Sequence, residues 1–229
     1  MAGLVAARAL AEFFETVTVV ERDALSDTAD HRRGVPQGRQ IHGLLLRGAQ
    51  ALEELFPGFL DELVGAGAPS FDYRDLSKLH FNMGGHLAVQ SGSAEGLSAY
   101  SPSRPFLESH VRRRVRATPN ITFLDNHDVV DVTSNTNRDR ITGARIASRH
   151  NQSESELSAD LVVDATGRGA RTPAMLERLG YARPTEDDVV IHLMYSSQLL
   201  RMAPEALHEL GGIVAPVPGR PTGDRKSVV

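Results

Sequence analysis

The chain has 229 residues, with 25 Lys+Arg against 29 Asp+Glu for a formal net charge of −4, and is 41% hydrophobic and 24% charged. This is globular composition, long enough to bury a real core, and its mild acidity gives no electrostatic reason to expect nucleic acid or an anionic membrane as partner. Cys is absent, which excludes disulfides, thiolate metal sites and Cys nucleophiles.

The apolar start is interrupted by Arg8 and Glu12 and has no cationic region before it, so it does not read as a signal peptide. No run approaches the roughly 20 apolar residues of a spanning helix, and a soluble, cytoplasmic protein is expected. Leu4, Ala7, Ala11 and Phe14 share one helical face, predicting a helix over 1–14. The β-branched run Thr16–Val20 predicts a short buried strand ending at Glu21-Arg22. A polar stretch over 23–43, with Gly34-Val-Pro-Gln-Gly38, reads as an extended loop. Helical periodicity returns over 44–63, interrupted at Pro57-Gly58, and the alternating segments 79–83 and 86–90 suggest a hairpin.

Pro105 suits the first turn of a helix running to Arg116, with Leu107, Val111 and Val115 as its buried stripe. Strands are predicted from Ile121 and from Ile141 to Arg149, the second following a polar tip at 134–140. Leu161–Val163 predicts a buried strand that exits into Asp164-Ala-Thr-Gly167; a helix over 173–179 and a strand over 189–195 follow. The tail from 201 is rich in Pro and Gly and shows no terminating element.

Two places could carry chemistry. Gly3 lies 18 residues before Glu21. In a dinucleotide-binding βαβ unit the last glycine of the fingerprint sits on the first helix, and an acid about 20 residues on accepts hydrogen bonds from a ribose. An ordinary helix–strand unit has the same outline. At the second place, a strand leaving into a small residue and glycine lets backbone amides approach a phosphate, or simply makes a turn.

Together these segments resemble FAD-dependent monooxygenases and oxidoreductases of the para-hydroxybenzoate hydroxylase type. Met1-Ala-Gly-Leu looks like the end of that family's glycine fingerprint, and Val17–Asp23 like its second strand with the ribose-binding acid. Gly34–Leu45 resembles a loop that passes near the flavin in one bacterial subgroup. Ser103–Glu108 resembles the Arg-bearing helix start, and Asp160–Gly167 the Ala-Thr-Gly motif. The implied fold is α/β: a Rossmann-like FAD-binding domain, first strand missing, with part of a β-rich substrate domain. The FAD-binding parts would be 1–70 and 101–183, and the substrate-domain parts a hairpin at 71–100 and a truncated start at 184–229.

The resemblance implies roles residue by residue. Gly3 would admit the pyrophosphate to the amino end of the first helix, and Glu21, with Arg22 beside it, would bind the adenosine ribose. Arg104 would contact flavin or pyrophosphate, and Val129 would offer backbone to adenine. Asp164 and Gly167 would flank the dinucleotide. Gln40 and His42 could face the isoalloxazine or substrate, although a lone loop His is usually solvated. The implied activity is NADPH- or NADH-dependent hydroxylation of a small organic substrate by oxygen through a flavin hydroperoxide; a flavin-dependent reductase or dehydrogenase of the same fold is equally compatible. No residue is assigned as catalytic, and no oligomeric state is implied.

Departures from the family pattern are equally specific. Its first strand and first two glycines are absent, and Gly223-Asp-Arg225 is a poor match to its later Gly-Asp-Ala segment. The missing strand belongs between 17–20 and 161–163, and strands neighbour at about 4.8 Å, so a gap of about twice that, or two bare edges, is expected. The expectation is a chain truncated at both ends, and the alternative function is a non-catalytic remnant binding FAD weakly or not at all. His80 and His86 lack further ligands at metal spacing, and no metal site is expected. Arg112–Arg114 and Arg116 read as a solvated basic face.

Overall fold

A computed structural model describes residues 1–228 except 33, 41, 84, 97, 193, 195, 199, 200, 202, 204–211 and 216–225. In chain order the elements begin with α1 (Ala2–Leu10), β1 (Val17–Val20), α2 (Leu46–Leu55), α3 (Phe59–Gly65) and β2 (Ser70–Asp72). There follow β3 (Leu79–Met83), β4 (His86–Leu87), β5 (Ser98–Tyr100), α4 (Arg104–Arg116), β6 (Ile121–Leu124) and β7 (His127–Ser134). Last come β8 (Ile141–Ser148), β9 (Glu154–Ser158), α5 (Thr172–Leu179), β10 (Gly212–Ala215) and β11 (Lys226–Val228). The chain forms two compact units, residues 1–38 with 105–195, and residues 39–104 with 196–229.

In the first unit β1 pairs in parallel with β6, Val17 opposite Ile121 and Val20 opposite Leu124. α1 buries Leu4 and Ala7 but ends at Leu10, short of the predicted Phe14. Its last carbonyls accept from the amides of residues 11–14, and just beyond it the Asn120 side-chain amide donates to Ala11 O and Phe14 O, both at 2.9 Å. α4 buries Leu107, Val111 and Val115 as its spacing predicts, and also Glu108 and Arg112. The basic face expected there is therefore only partly solvated. α5 follows its punctuation: Pro173 lies in the first turn, and Gly180, at φ +95°, closes the last one.

β7, β8 and β9 make an antiparallel meander. A Cβ on Gly143 in β8 would overlap the Leu157 carbonyl oxygen of β9, so glycine is what lets these strands close. Sequence reading missed β9 because Glu-Ser-Glu-Leu-Ser is polar and almost wholly exposed, so no apolar alternation marks it.

Two predicted strands are corrected. Leu161–Val163 is irregular, with Leu161 51% and Val163 49% exposed. The described residues of 189–195 are also irregular, and Val189, Val190, Ile191 and Met194 are exposed. The reason is shared: β-branched composition fits a sheet only where a neighbour supplies the ladder, and no described strand pairs with either segment.

In the second unit Pro57-Gly58 separates α2 from α3, as the sequence predicts, with Gly58 at φ +77° and its amide donating to Glu53. Leu52, Phe56, Phe59 and Leu63 form the core there, with the two Phe rings 5.9 Å apart. β2 pairs with β5, and the predicted hairpin appears as β3–β4, shorter in its second arm. The four-stranded sheet runs β11-β10-β3-β4. β10 and β11 correct the expectation that nothing regular ends the chain. Gly223-Asp-Arg225 lies outside the described residues.

Candidate cofactor-binding site

In the first unit the amino end of α1 meets the 164–167 turn. The Val5 amide donates to Met1 O at 3.0 Å, closing the first turn of α1, and Met1 supplies no side-chain cap. The preceding amides have no intrahelical acceptor, and no acid occupies the first turn. That end carries partial positive charge. A Cβ on Gly3 would lie 3.3 Å from Ala165 Cβ, so glycine keeps the helix and the turn in close approach. The structure thus brings Gly3 beside the segment holding Asp164 and Gly167.

Asp164 organises its own turn. One carboxylate oxygen accepts from the Thr166 amide at 2.9 Å and from the Thr166 hydroxyl, and the other from the Thr172 hydroxyl. Burial alone would raise its pKa, but these hydrogen bonds outweigh burial and hold it below the ordinary carboxylate value. Gly167 has φ +65° with open space where a side chain would stand.

Glu21 follows the last residue of β1. Its Oε1 accepts from the Asp23 amide at 3.0 Å, and its Oε2 lies 3.2 Å from Arg32 Nη1. Arg32 also reaches Asp23 at 3.3 Å and the buried Glu108 of α4 at 2.6 Å. Burial would lower the Arg32 pKa, yet Glu108, Glu21 and Asp23 together raise it above the usual guanidinium value. Arg32 is the residue sequence reading missed: it sits in a polar loop, and its deepest partner lies 76 positions away, a pairing no local spacing reveals.

Arg22 Nε lies 3.4 Å from Asp128, which also accepts from Arg149 at 2.8 Å. The His127 amide donates to Glu21 O at 3.1 Å, tying the start of β7 to the end of β1. Val129, opposite Ile146 in β8, therefore lies two residues into the strand whose first amide is bonded to Glu21.

Gln40, His42 and Arg104 belong to the second unit. Gln40 Oε1 accepts from the Ser197 hydroxyl. Burial, and then the positive charge of Arg104, lower the His42 pKa and favour its neutral form. An open depression of about 500 Å³ in this unit is lined by Ser70–Asp75, Lys78 and Leu79, none of them a sequence-predicted site residue. Among the described residues no group of three or more His, Asp or Glu could hold a metal ion, and no helix is long and apolar enough to cross a membrane.

No family model matches the chain. It is 40% identical over 207 residues to Protein Rv3254 of Mycobacterium tuberculosis, covering 88% of this chain and 43% of that protein. The chain thus spans less than half the length of that relative. Among solved structures it is similar to the flavin-dependent monooxygenase PieE, determined with FAD and substrate, at TM-score 0.52 and 19% identity over 77% of this chain and 30% of that one. It is similar to the myxobacterial FAD-dependent halogenase CndH at TM-score 0.53 and 19% identity, over 74% of this chain and 35% of that one. Aklavinone-11 hydroxylase, determined with FAD and aklavinone, gives TM-score 0.51 and 20% identity over 76% and 32%. The α/β fold is that of the FAD-binding monooxygenases and halogenases.

Proposed function

We propose that the chain is the dinucleotide-binding part of an FAD-dependent oxidoreductase of the para-hydroxybenzoate hydroxylase type, an NADPH- or NADH-dependent monooxygenase acting on a small organic substrate with oxygen in the cytoplasm. The carrying observation is that Gly3, at the uncapped amino end of α1, packs against the Ala165 turn, while Glu21 closes the adjoining strand with its carboxylate still 28% exposed. An anionic pyrophosphate suits the first, and a ribose diol suits the second.

The residues present fit the cofactor. The first-turn amides of α1 would hold the pyrophosphate, with the open Gly167 turn beside them. Glu21 would accept from the ribose, Arg22 would flank it, and the backbone of Val129 would border adenine. Asp164 keeps its turn in shape through Thr166 and Thr172. Arg104, Gln40 and His42 would serve the flavin or the substrate; His42, biased to its neutral form, can donate one hydrogen bond and accept another. FAD held there would supply the redox chemistry between a nicotinamide and oxygen, while the protein would bind and orient it and exclude water.

A second reading, a non-catalytic chain that binds FAD weakly or not at all, is favoured by one observation. β1 has β6 on one edge and no described partner on the other, and Leu161–Val163 stays outside any sheet. An absorption spectrum after incubation with FAD and desalting separates the two. Retained flavin supports the first reading and justifies nicotinamide-oxidation assays; a colourless protein supports the second.

A further inference from the structure

Arg32 stands where three carboxylates meet, and the arrangement is graded by depth. At its buried end, Nη2 lies 2.6 Å from Glu108, whose side chain is 5% exposed. Arg112, one turn along α4 and 6% exposed, lies 3.6 Å from the same carboxylate oxygen. At the outer end, Nη1 of Arg32 is shared between Glu21 at 3.2 Å and Asp23 at 3.3 Å. The loop between is strapped to the same helix: Arg112 donates to Ser26 O at 2.8 Å and Thr28 O at 3.1 Å, and Arg116 pairs with Asp27. α4 thereby fixes the backbone that follows β1.

For Glu21 the consequence is specific. Oε2 is held by Arg32 and Oε1 by the Asp23 amide. Each carboxylate oxygen has a further lone pair, and the side chain remains partly open to solvent. Two oxygens, each restrained from behind and each able to accept once more, match a vicinal diol. A phosphate on that diol would meet the Glu21 and Asp23 carboxylates, which share a single guanidinium nitrogen at the outer end of the cluster.

We propose that Arg32 is a positioning residue that sets Glu21 as a two-point acceptor for an unmodified ribose 2′,3′-diol, so that this site selects adenine nucleotides with a free 2′-hydroxyl. The inference rests on the reading above that the chain binds an adenine dinucleotide. Unlike a purely structural ion pair, it predicts a change in selectivity as well as in affinity.

The test is calorimetric titration of the purified chain with ADP and with 2′-deoxy-ADP. The unaltered chain should bind ADP about tenfold more tightly, the worth of one hydrogen bond to a charged group. Arg32→Met should bring the two affinities together, and Arg32→Lys should recover part of the preference. If Arg32→Met proves unfolded by circular dichroism, the ratio is read on Arg32→Lys, where an undiminished preference overturns the proposal. Loss of affinity for both ligands with the ratio kept also overturns it and leaves the dinucleotide reading standing. No binding of ADP by the unaltered chain overturns that reading and this inference together.

Discussion

Gly3 and Ala165 approach so closely that a β-carbon on Gly3 would lie 3.3 Å from that of Ala165. The contact joins the amino end of a helix to a turn 162 positions further along the chain, and two effects compete there. Replacing a helical glycine with alanine gains at most about 1 kcal/mol of helix propensity. The new methyl must be accommodated by a shift of a few tenths of an ångström, which the exposed Ala165 turn can make. Gly3→Ala should therefore change stability by less than about 1 kcal/mol, and Gly3→Leu should push the turn away and lose flavin. Thermal midpoint and retained FAD absorbance check this; a Gly3→Leu protein that keeps FAD as the unaltered chain does would remove Gly3 from the site.

The two edges of β1 should behave differently in hydrogen exchange. Val17 donates to Asn120, just before β6, and Glu21 to Leu124 at its end, both at 2.9 Å. Alternate residues of a parallel ladder serve one neighbour, so Thr18 and Val20 turn to the edge where no described strand lies. Their amides should exchange faster than those of Val17 and Val19 in amide-resolved spectra. Equal protection along the strand would mean that something covers that edge.

Much of this fold is legible where a local rule decides the outcome. Pro173 and Gly180 bound α5, Pro57-Gly58 separates two helices, and Leu107, Val111 and Val115 mark the buried face of α4. Reading fails where a partner distant in sequence decides. Leu161–Val163 has strand composition but no ladder, and β9 has a ladder but polar composition. At the site the Gly3–Glu21 spacing is visible in sequence. Arg32 is not, because its role depends on Glu108 arriving from α4.

The buried and exposed ion pairs of the first unit should differ sharply in cost. Glu108 is enclosed with Arg32 and Arg112, so Glu108→Gln leaves two guanidinium groups short of their counter-charge. Breaking a buried pair in this way should cost about 3 kcal/mol. The Arg8–Glu12 pair, at 2.9 Å on the outside of α1, gains little from geometry alone because water screens it. Glu12→Gln should cost less than about 0.5 kcal/mol. Urea unfolding of both variants measures the contrast, and equal losses would show that the Glu108 cluster is not desolvated.

His42 gives the second unit a predictable pH response. Burial, reinforced by Arg104, lowers its pKa in the folded chain from the ordinary value of 6.5. The unfolded chain therefore binds the proton more readily, and stability rises with pH across the interval between the two values. The contribution is fully present above pH 6.5 and is lost as pH falls through the folded value. In His42→Gln that part of the pH dependence should vanish, while Arg104→Met should weaken it by moving the folded value back toward the ordinary one. Burial, the larger cause, remains in Arg104→Met, so the return should be partial. Unfolding midpoints measured from neutral pH downward, together with the imidazole chemical shifts of His42, decide the matter. A histidine that titrates at its ordinary value would mean that solvent reaches the ring freely, and its assignment to a water-excluding flavin or substrate face would fall with that result.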